Sequence, residues 1–192
     1  MAAVKDSEIR LFPSKTDWTV WLNKNHRKSA GLWLRIAKKG PGLESVSYKE
    51  ALEVALCYGW IDGQKRPESK ESWLQRFVPR GSKSLWSKIN REAALALIAS
   101  GQMKAAGLEA VESAKQSGQW EAAYDSPSGA TVPGDFQAAL EANPKAKKFF
   151  ETLDRTNRYA VLWRIQTVKR AETRSRKIER FIAMLEREEK IH

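Results

Sequence analysis

The chain has 192 residues, 42% of them hydrophobic, and a formal net charge of +11, which suits one large or two small folded domains. Its apolar runs are too short for a transmembrane helix, its first residues carry charges where an export signal needs an apolar stretch, and its single cysteine, Cys57, excludes an internal disulfide. We therefore expect a cytoplasmic protein whose positive charge attracts anionic partners such as nucleic acid, although a basic surface also serves simple solubility.

The N-terminal part of the sequence predicts two helices with a strand between them. A helix is expected over 16–25, and the alternation of apolar with other residues over 32–37 is typical of a strand. Ser47 and Glu50 have the spacing of a capping box. The helix behind them is expected to end at Gly59, a residue suited to a left-handed conformation.

Two further strands are predicted over 60–66 and 73–78, and the turn-like segment 67–70 joins them. The short connection favours an antiparallel hairpin. Together with the strand over 32–37, the hairpin would form a small sheet packed on helices.

The rest of the chain has helical periodicity. Helices are expected over 84–100 and 107–117, and three or four more should follow a linker at 125–134 that is rich in turn-forming residues. We therefore predict an α+β fold, with a small antiparallel sheet packed on helices and an all-helical C-terminal part. The expected domains are an α+β domain at 1–128 and a helical domain at 134–192.

Four motifs resemble those of a known family. They are Cys57-Tyr-Gly-Trp-Ile-Asp-Gly-Gln-Lys65, Arg76-Phe-Val-Pro-Arg80, Trp86-Ser-Lys-Ile-Asn90 and Arg158-Tyr-Ala-Val-Leu-Trp-Arg-Ile-Gln166. In these motifs and their order, the sequence resembles the YdeI/OmpD-associated (bacteriocin-protection) family over about 12–191. The resemblance implies an α+β N-terminal part, a helical C-terminal part and a stress or envelope-protection role. It implies no established reaction and no catalytic residues.

Common catalytic and metal-binding patterns are missing from the sequence. The only histidines are His26 and His192, and neither lies near Cys57. The sequence has no paired-cysteine zinc motif, no carboxylate ladder and no glycine-rich nucleotide motif. We expect Cys57 to be a small buried hydrophobe. We also expect no metal and no cofactor, and a binding protein rather than an enzyme.

The segment 58–91 concentrates tryptophan and positive charge, which are common contacts for the bases and phosphates of nucleic acid. We expect this segment to form the ligand-binding surface. Its candidate residues are Trp60, Asp62, Gln64, Lys65, Arg66, Arg76, Arg80, Lys83, Trp86, Lys88, Asn90 and Arg91. Arg80 and Lys83 flank a turn before the helix expected at 84, where free N–H groups attract anions. An ordinary capped helix start is the alternative.

Strand alternation distributes these residues between the two faces of the sheet. We expect one face to gather aromatic, basic and amide side chains, namely Trp33, Arg35, Trp60, Asp62 and Gln64. One alternative is that C-terminal helices cover these tryptophans as ordinary core. Another is that Asp62-Gly63 forms a tight turn, which would change the alternation.

The function that we predict is non-enzymatic binding of nucleic acid or another polyanion. The alternative is a small-molecule-binding protein or enzyme with a site around Asp62, Arg76 and Trp86, to which Gln64 and Asn90 would contribute. Asp62 would act there as a general base, whereas its more ordinary role is an ion pair with an arginine such as Arg76.

The C-terminal helices offer a third possibility, a surface for a protein partner. Arg170, Arg174 and Lys177 have the spacing of one helix face, which matches a polyanion-binding stripe. The same spacing matches the solvated side of an amphipathic helix whose apolar side is Ile178, Phe181, Ile182 and Leu185.

Overall fold

The computed structural model describes residues 8–40 and 42–192, and within them it shows an α+β fold of one four-stranded sheet and eight helices. The described part of Met1–Trp86 and the segment Asn90–Glu121 form one compact unit. Ser87–Ile89 and Ala122–His192 form a second. We call them the N-terminal unit and the C-terminal unit. The predicted fold class is confirmed.

The sheet of the N-terminal unit has the strand order β1-β2-β4-β3, in which β1 is parallel to β2 and the other pairs are antiparallel. The elements are β1 (Ile9–Leu11), α1 (Lys15–Asn25), β2 (Leu32–Ala37), α2 (Tyr48–Cys57), β3 (Trp60–Pro67), β4 (Ser72–Pro79), α3 (Lys88–Ala99) and α4 (Ala105–Gln116). The predicted hairpin is confirmed as β3 and β4. Strand β1 was not predicted, because three residues are too few to show an alternation.

Local sequence signals set the ends of the first two helices. The side chain of Ser14 accepts a hydrogen bond from the backbone N–H of Asp17 at 3.2 Å. Ser47 and Glu50 form the predicted capping box. Gly59 follows α2 with φ +71°, in the left-handed conformation expected of it.

Helices α1 and α2 cover one face of the sheet with an aromatic core. The ring of Trp18 is fully buried, 5.7 Å from that of Phe77 and 6.3 Å from that of Trp60. Its indole Nε1 donates to the carbonyl of Ala51 at 3.0 Å, and Nε1 of Trp60 donates to the carbonyl of His26 at 3.0 Å. Both buried indoles are therefore satisfied, as burial of an N–H group requires.

A β-bulge interrupts β3. Asp62 pairs with Phe77 and Lys65 pairs with Gln75, so the two residues between Asp62 and Lys65 face the single residue Arg76. The buried Gln75 side chain donates to the carbonyls of these two bulge residues at 2.9 and 3.2 Å. The extra residue reverses the alternation, which leaves Asp62 on the helix-covered face and moves Arg66 to the opposite face.

The C-terminal unit is helical, as predicted, with four helices after the linker. They are α5 (Gly134–Glu141), α6 (Pro144–Thr152), α7 (Arg155–Gln166) and α8 (Ala171–Glu186). The apolar stripe predicted for the last helix is buried in a core with Phe136 and Phe150, whose rings meet edge to face at 5.4 Å. Among the described residues, no helix has the length and apolar character needed to cross a membrane.

Asp125, at the start of the predicted linker, is a buried anchor of the C-terminal unit. Its carboxylate accepts from Lys88 Nζ at 2.5 Å and from Gln166 Nε2 at 2.7 Å, and its carbonyl accepts from the hydroxyl of Tyr159 at 2.9 Å. Burial opposes the charged form of Asp125, but the hydrogen bonds from Lys88 and Gln166 outweigh it and hold the pKa below its usual value.

Gly59→Ala should destabilise the protein more than Gly101→Ala. Both glycines are left-handed, at φ +71° and +69°, but a Cβ at Gly59 would lie 2.6 Å from the carbonyl oxygen of Ala106, whereas one at Gly101 has no described atom within 4 Å. Gly101→Ala should lower the free energy of unfolding by about 1–2 kcal/mol through backbone strain. Gly59→Ala should lower it by about 2–5 kcal/mol, because overpacking adds to that strain. Equal losses in urea unfolding would contradict this packing.

Asp125→Asn should lower the free energy of unfolding by about 1–2 kcal/mol at pH 7, because it removes hydrogen bonds to a buried charge. The folded-state pKa of Asp125 is lowered, so the stability it contributes is complete above the ordinary pKa of about 3.9 and is lost as the pH falls through the folded-state pKa. The difference between wild type and variant should therefore shrink on acidification. The exposed pair of Glu141 with Lys147 provides the control, since Glu141→Gln should change stability little.

Candidate functional site

The structure brings only some of the candidate residues together. Arg66 and Arg76 lie on the sheet face opposite the helices, beside Trp33. Trp60, Arg80 and Trp86 line a pocket elsewhere in the N-terminal unit. The segment that was predicted to form one surface therefore contributes to two separate places.

The first place is a cluster of Trp33, Arg66 and Arg76, which we call the arginine–tryptophan face. Trp33 on β2 pairs with Arg76 on β4, so their side chains leave the sheet on the same side. The guanidinium carbon of Arg66 lies 4.4 Å from the centre of the Trp33 ring, and that of Arg76 lies 5.9 Å from it. Both distances are within the range of a cation–π contact, which holds the charges next to a partly exposed indole.

Arg76 is partly buried, and its hydrogen-bonding capacity is incompletely used. Its Nη1 is buried and has no hydrogen-bond partner within the described part of the chain. Burial lowers the pKa of its guanidinium, which nevertheless stays charged because arginine starts from a very high value. A buried charged donor without a partner is costly, and an incoming anion would satisfy it.

Arg35 lies on the same sheet face as Trp33, as predicted, but its charge is already paired. Its Nε and Nη2 donate to the two carboxylate oxygens of Glu68 at 2.7 and 2.5 Å. Glu68 also accepts from the hydroxyl of Ser72 at 2.8 Å. The hydrogen bond from Arg35 is the largest cause of the lowered pKa of Glu68, and the hydrogen bond from Ser72 lowers it further. Arg35 therefore braces the strands rather than presenting a charge to a ligand.

The prediction that Trp60, Asp62 and Gln64 share a face with Trp33 is wrong. Asp62 pairs with Phe77, which pairs with Leu32, so Trp60 and Asp62 lie on the helix-covered face, opposite to Trp33. Trp60 is a core residue with 1% exposure, and Asp62 accepts from the hydroxyl of Tyr48 on α2 at 2.7 Å. Gln64 is exposed in the bulge, and the exposed Lys65 follows it. Neither the predicted Asp62–Arg76 ion pair nor a cleft uniting Asp62, Arg76 and Trp86 is formed.

The second place is a pocket of about 360 Å³, which we call the Arg80 pocket. Its lining includes Tyr58, Trp60, Arg80, Trp86 and Gln119. The guanidinium carbon of Arg80 lies 3.6 Å from the centre of the Trp86 ring, and its Nη1 donates to the carbonyl of Leu85 at 3.2 Å. The Trp86 ring also packs against the ring of Trp120, with the two ring centres 4.9 Å apart.

The rim of the Arg80 pocket joins α1 to α4. Arg27 donates to both carboxylate oxygens of Glu109, at 2.8 and 3.1 Å, and both side chains are largely exposed. Nδ1 of His26 donates to the carbonyl of Leu22 at 2.9 Å, which fixes the imidazole ring 5.2 Å from that of Tyr58. His26, Arg27 and Gln119 were not predicted as site residues, because they are distant in sequence from the segment 58–91.

The turn after β4 does not stand at a helix start. Helix α3 begins at Lys88, not at 84, and the backbone N–H of Gly81 is already bonded to the Ser84 hydroxyl at 3.1 Å. The expected anion site of Arg80 and Lys83 at a helix N-terminus is therefore wrong, and Lys83 is simply exposed.

The candidate residues at the start of α3 have structural roles. Lys88 is paired with Asp125, and Asn90 is buried. Arg91 donates from Nη1 to the carbonyl of Trp120 at 3.1 Å. These three residues do not lie among the lining residues of the Arg80 pocket.

The basic stripe predicted for the last helix is not a row of equivalent charges. Arg174 donates to both carboxylate oxygens of Asp135, at 2.5 and 2.9 Å, and to the carbonyl of Ile165 at 2.7 Å. Arg170 stands at the N-cap position of α8 without a side-chain capping hydrogen bond, and Lys177 is partly buried. The solvated side of an amphipathic helix is the better description.

Cys57 is buried, as expected, and burial raises the pKa of its thiol. Among the described residues, no group of three or more histidine, cysteine, aspartate or glutamate side chains is placed to hold a metal ion.

Comparison with known families divides the chain into two matched regions. Residues 10–110, more than half of the chain, match a domain of unknown function (DUF8412). Residues 129–188 match the family described as bacteriocin-protection, YdeI or OmpD-associated, a shorter region than the resemblance at 12–191 implied. No curated protein and no solved structure matches the chain. The chain thus belongs to the DUF8412 family through its N-terminal region, and its C-terminal helices match the family described as bacteriocin-protection, YdeI or OmpD-associated.

Proposed function

We propose that this protein binds single-stranded nucleic acid through the arginine–tryptophan face. The observation that carries the proposal is the partly exposed Trp33 ring with two guanidinium groups beside it, that of Arg66 at 4.4 Å and that of Arg76 at 5.9 Å from the ring centre. An indole can stack on a base of any sequence, and each guanidinium can contact a phosphate. The bacteriocin-protection description of the C-terminal region is compatible with a binding role and names no ligand.

A single strand suits this face better than a duplex. Stacking on Trp33 requires an unpaired base, because the bases of a duplex already stack on one another. The Nη1 of Arg76 is buried without a partner in the described part of the chain, and a small rotation of the side chain would let it donate to a phosphate oxygen. The net charge of +11 would add a sequence-independent attraction at low salt.

The number of charges on the face limits the strength of binding. Arg35 is neutralised by Glu68, so within the described part of the chain Arg66 and Arg76 are the cations of this face that remain for phosphates. For a single strand, two phosphate contacts give a slope of about −1.4 in a plot of log K against log salt concentration. We therefore expect weak binding with little sequence preference.

Fluorescence anisotropy with a labelled single-stranded oligonucleotide should detect this binding at low salt. Trp33→Leu should weaken it by about 1–3 kcal/mol through loss of base stacking. Arg66→Ala should reduce the salt slope by about 0.7, the contribution of one phosphate contact. Because Arg66 is exposed, the second change should leave the fold intact.

Arg176→Ala is the matched control, since it removes one exposed arginine from α8 without touching the face. Its binding and salt slope should stay close to wild type. A duplex of the same sequence should bind more weakly than the single strand. The proposal fails if the oligonucleotide does not bind at low salt. It also fails if heparin binds as tightly as the oligonucleotide and Trp33→Leu has no effect, because that result would indicate a general attraction of polyanions.

A further inference from the structure

We propose that the Arg80 pocket binds a small organic carboxylate that carries an amide N–H next to it, as in N-acylated amino acids and the C-terminal ends of short peptides. The inference concerns a different place from the arginine–tryptophan face and stands independently of nucleic-acid binding. It rests on the shape of the pocket, on the fixed guanidinium of Arg80 and on the buried side chain of Gln119.

The pocket has the size and the walls of a small-molecule site. Its volume of about 360 Å³ lies within the usual range of about 300–1,000 Å³ for ligand pockets. Indoles and small side chains form its apolar surface, including Trp60, Trp86, Ala106, Ala110 and Ala114. The three alanines are spaced by four residues along α4, so one helix face supplies a smooth wall for an apolar group.

Arg80 is positioned to recognise a carboxylate. Stacking on Trp86 at 3.6 Å and the bond to the Leu85 carbonyl fix the plane of its guanidinium in the pocket wall. The planar fork of an arginine matches the two oxygens of a carboxylate. Arg27 and Glu109, which also belong to the lining, form an ion pair with each other.

Gln119 provides an independent observation that points to a ligand. Its side chain lines the pocket and is 7% exposed, and Oε1 is buried without a hydrogen-bond partner in the described part of the chain. An unsatisfied buried acceptor costs about 1–3 kcal/mol. A small rotation of the side chain would let Oε1 accept from an N–H group of a bound molecule.

These features together define the ligand chemistry. A carboxylate would face Arg80, an adjacent amide N–H would donate to Gln119, and an apolar side chain would rest on the indoles and alanines. A site built to pair with an N–H group rejects an analogue that lacks it, because its own acceptor is then left unsatisfied. The pocket should therefore distinguish close analogues of one compound.

The test measures binding of N-acetylphenylalanine to the 192-residue protein by tryptophan fluorescence and by calorimetry. The acid should bind, whereas its primary amide, which lacks the negative charge, should bind at least tenfold more weakly. The N-methyl derivative, which lacks the N–H donor, should also bind at least tenfold more weakly. The dipeptide Ala-Phe and N-acetylphenylalanine share the required chemistry, and their relative affinities distinguish a peptide end from an acylated amino acid.

Two variants assign these preferences to residues. Gln119→Leu removes an unsatisfied acceptor, so it should preserve the fold and abolish the preference for N–H over N-methyl. Arg80→Lys keeps the charge but loses the planar fork, and it should weaken binding of the acid more than binding of the amide. Arg66→Ala, on the other face of the sheet, should leave affinity unchanged and serves as the control.

The proposal is overturned if neither the acid nor the dipeptide binds, or if Gln119→Leu retains the preference for the N–H compound. Binding that is lost in Arg66→Ala would also overturn it, because that residue is not part of the pocket. Nucleic-acid binding is measured separately, so failure of one proposal does not decide the other.

Discussion

The bulge between Asp62 and Lys65 places two consecutive residues opposite Arg76, and the buried amide of Gln75 donates to the carbonyls of both. Without the extra residue, regular alternation would carry Arg66 to the helix-covered face. With it, Arg66 meets Trp33 while Trp60 remains in the core. The contact between Arg66 and Trp33 therefore depends on this irregularity, whereas Arg76 is placed beside Trp33 by the pairing of β2 with β4.

The tryptophans of the N-terminal unit have two kinds of surroundings. Trp18 and Trp60 are buried, and each indole N–H donates to a backbone carbonyl, although the ring of Trp60 also lines the Arg80 pocket. Trp33 and Trp86 instead lie against guanidinium groups, at 4.4 Å from Arg66 and 3.6 Å from Arg80. Such contacts hold a cation in a defined orientation before any ligand arrives, which reduces the ordering that binding must supply.

Much of the fold was predictable because the signals were local. The capping box at Ser47, the left-handed Gly59 and the alternation over 32–37 each depend on a few neighbouring residues. The bulge was predictable only in part. A change of the alternation at Asp62-Gly63 was one of the alternatives, but a tight turn was expected there, and only the pairing with β4 shows one residue too many. The start of α3 was also predicted too early, at 84 instead of Lys88. Trp86 lies before the helix and packs against Arg80 and Trp120, which are contacts that the local sequence does not show.

The candidate site was only partly readable, because sequence shows where charges are but not which are paired. Arg35, Lys88 and Arg174 looked equivalent to Arg66, yet each has an acidic partner. The pocket residue Gln119 gave no signal at all, since an isolated glutamine far along the chain has no distinguishing pattern. Its importance comes from burial without a partner, which is a property of the folded chain.

The most direct test of the account is ¹⁹F NMR of the protein labelled with fluorotryptophan, with a single-stranded oligonucleotide added at low salt. Resonances are assigned by replacing single tryptophans. We predict that the Trp33 resonance shifts on addition of the oligonucleotide while those of Trp18 and Trp60 stay in place. An unchanged Trp33 resonance under conditions in which the oligonucleotide is bound would contradict the claim that this indole and its two arginines form the binding surface.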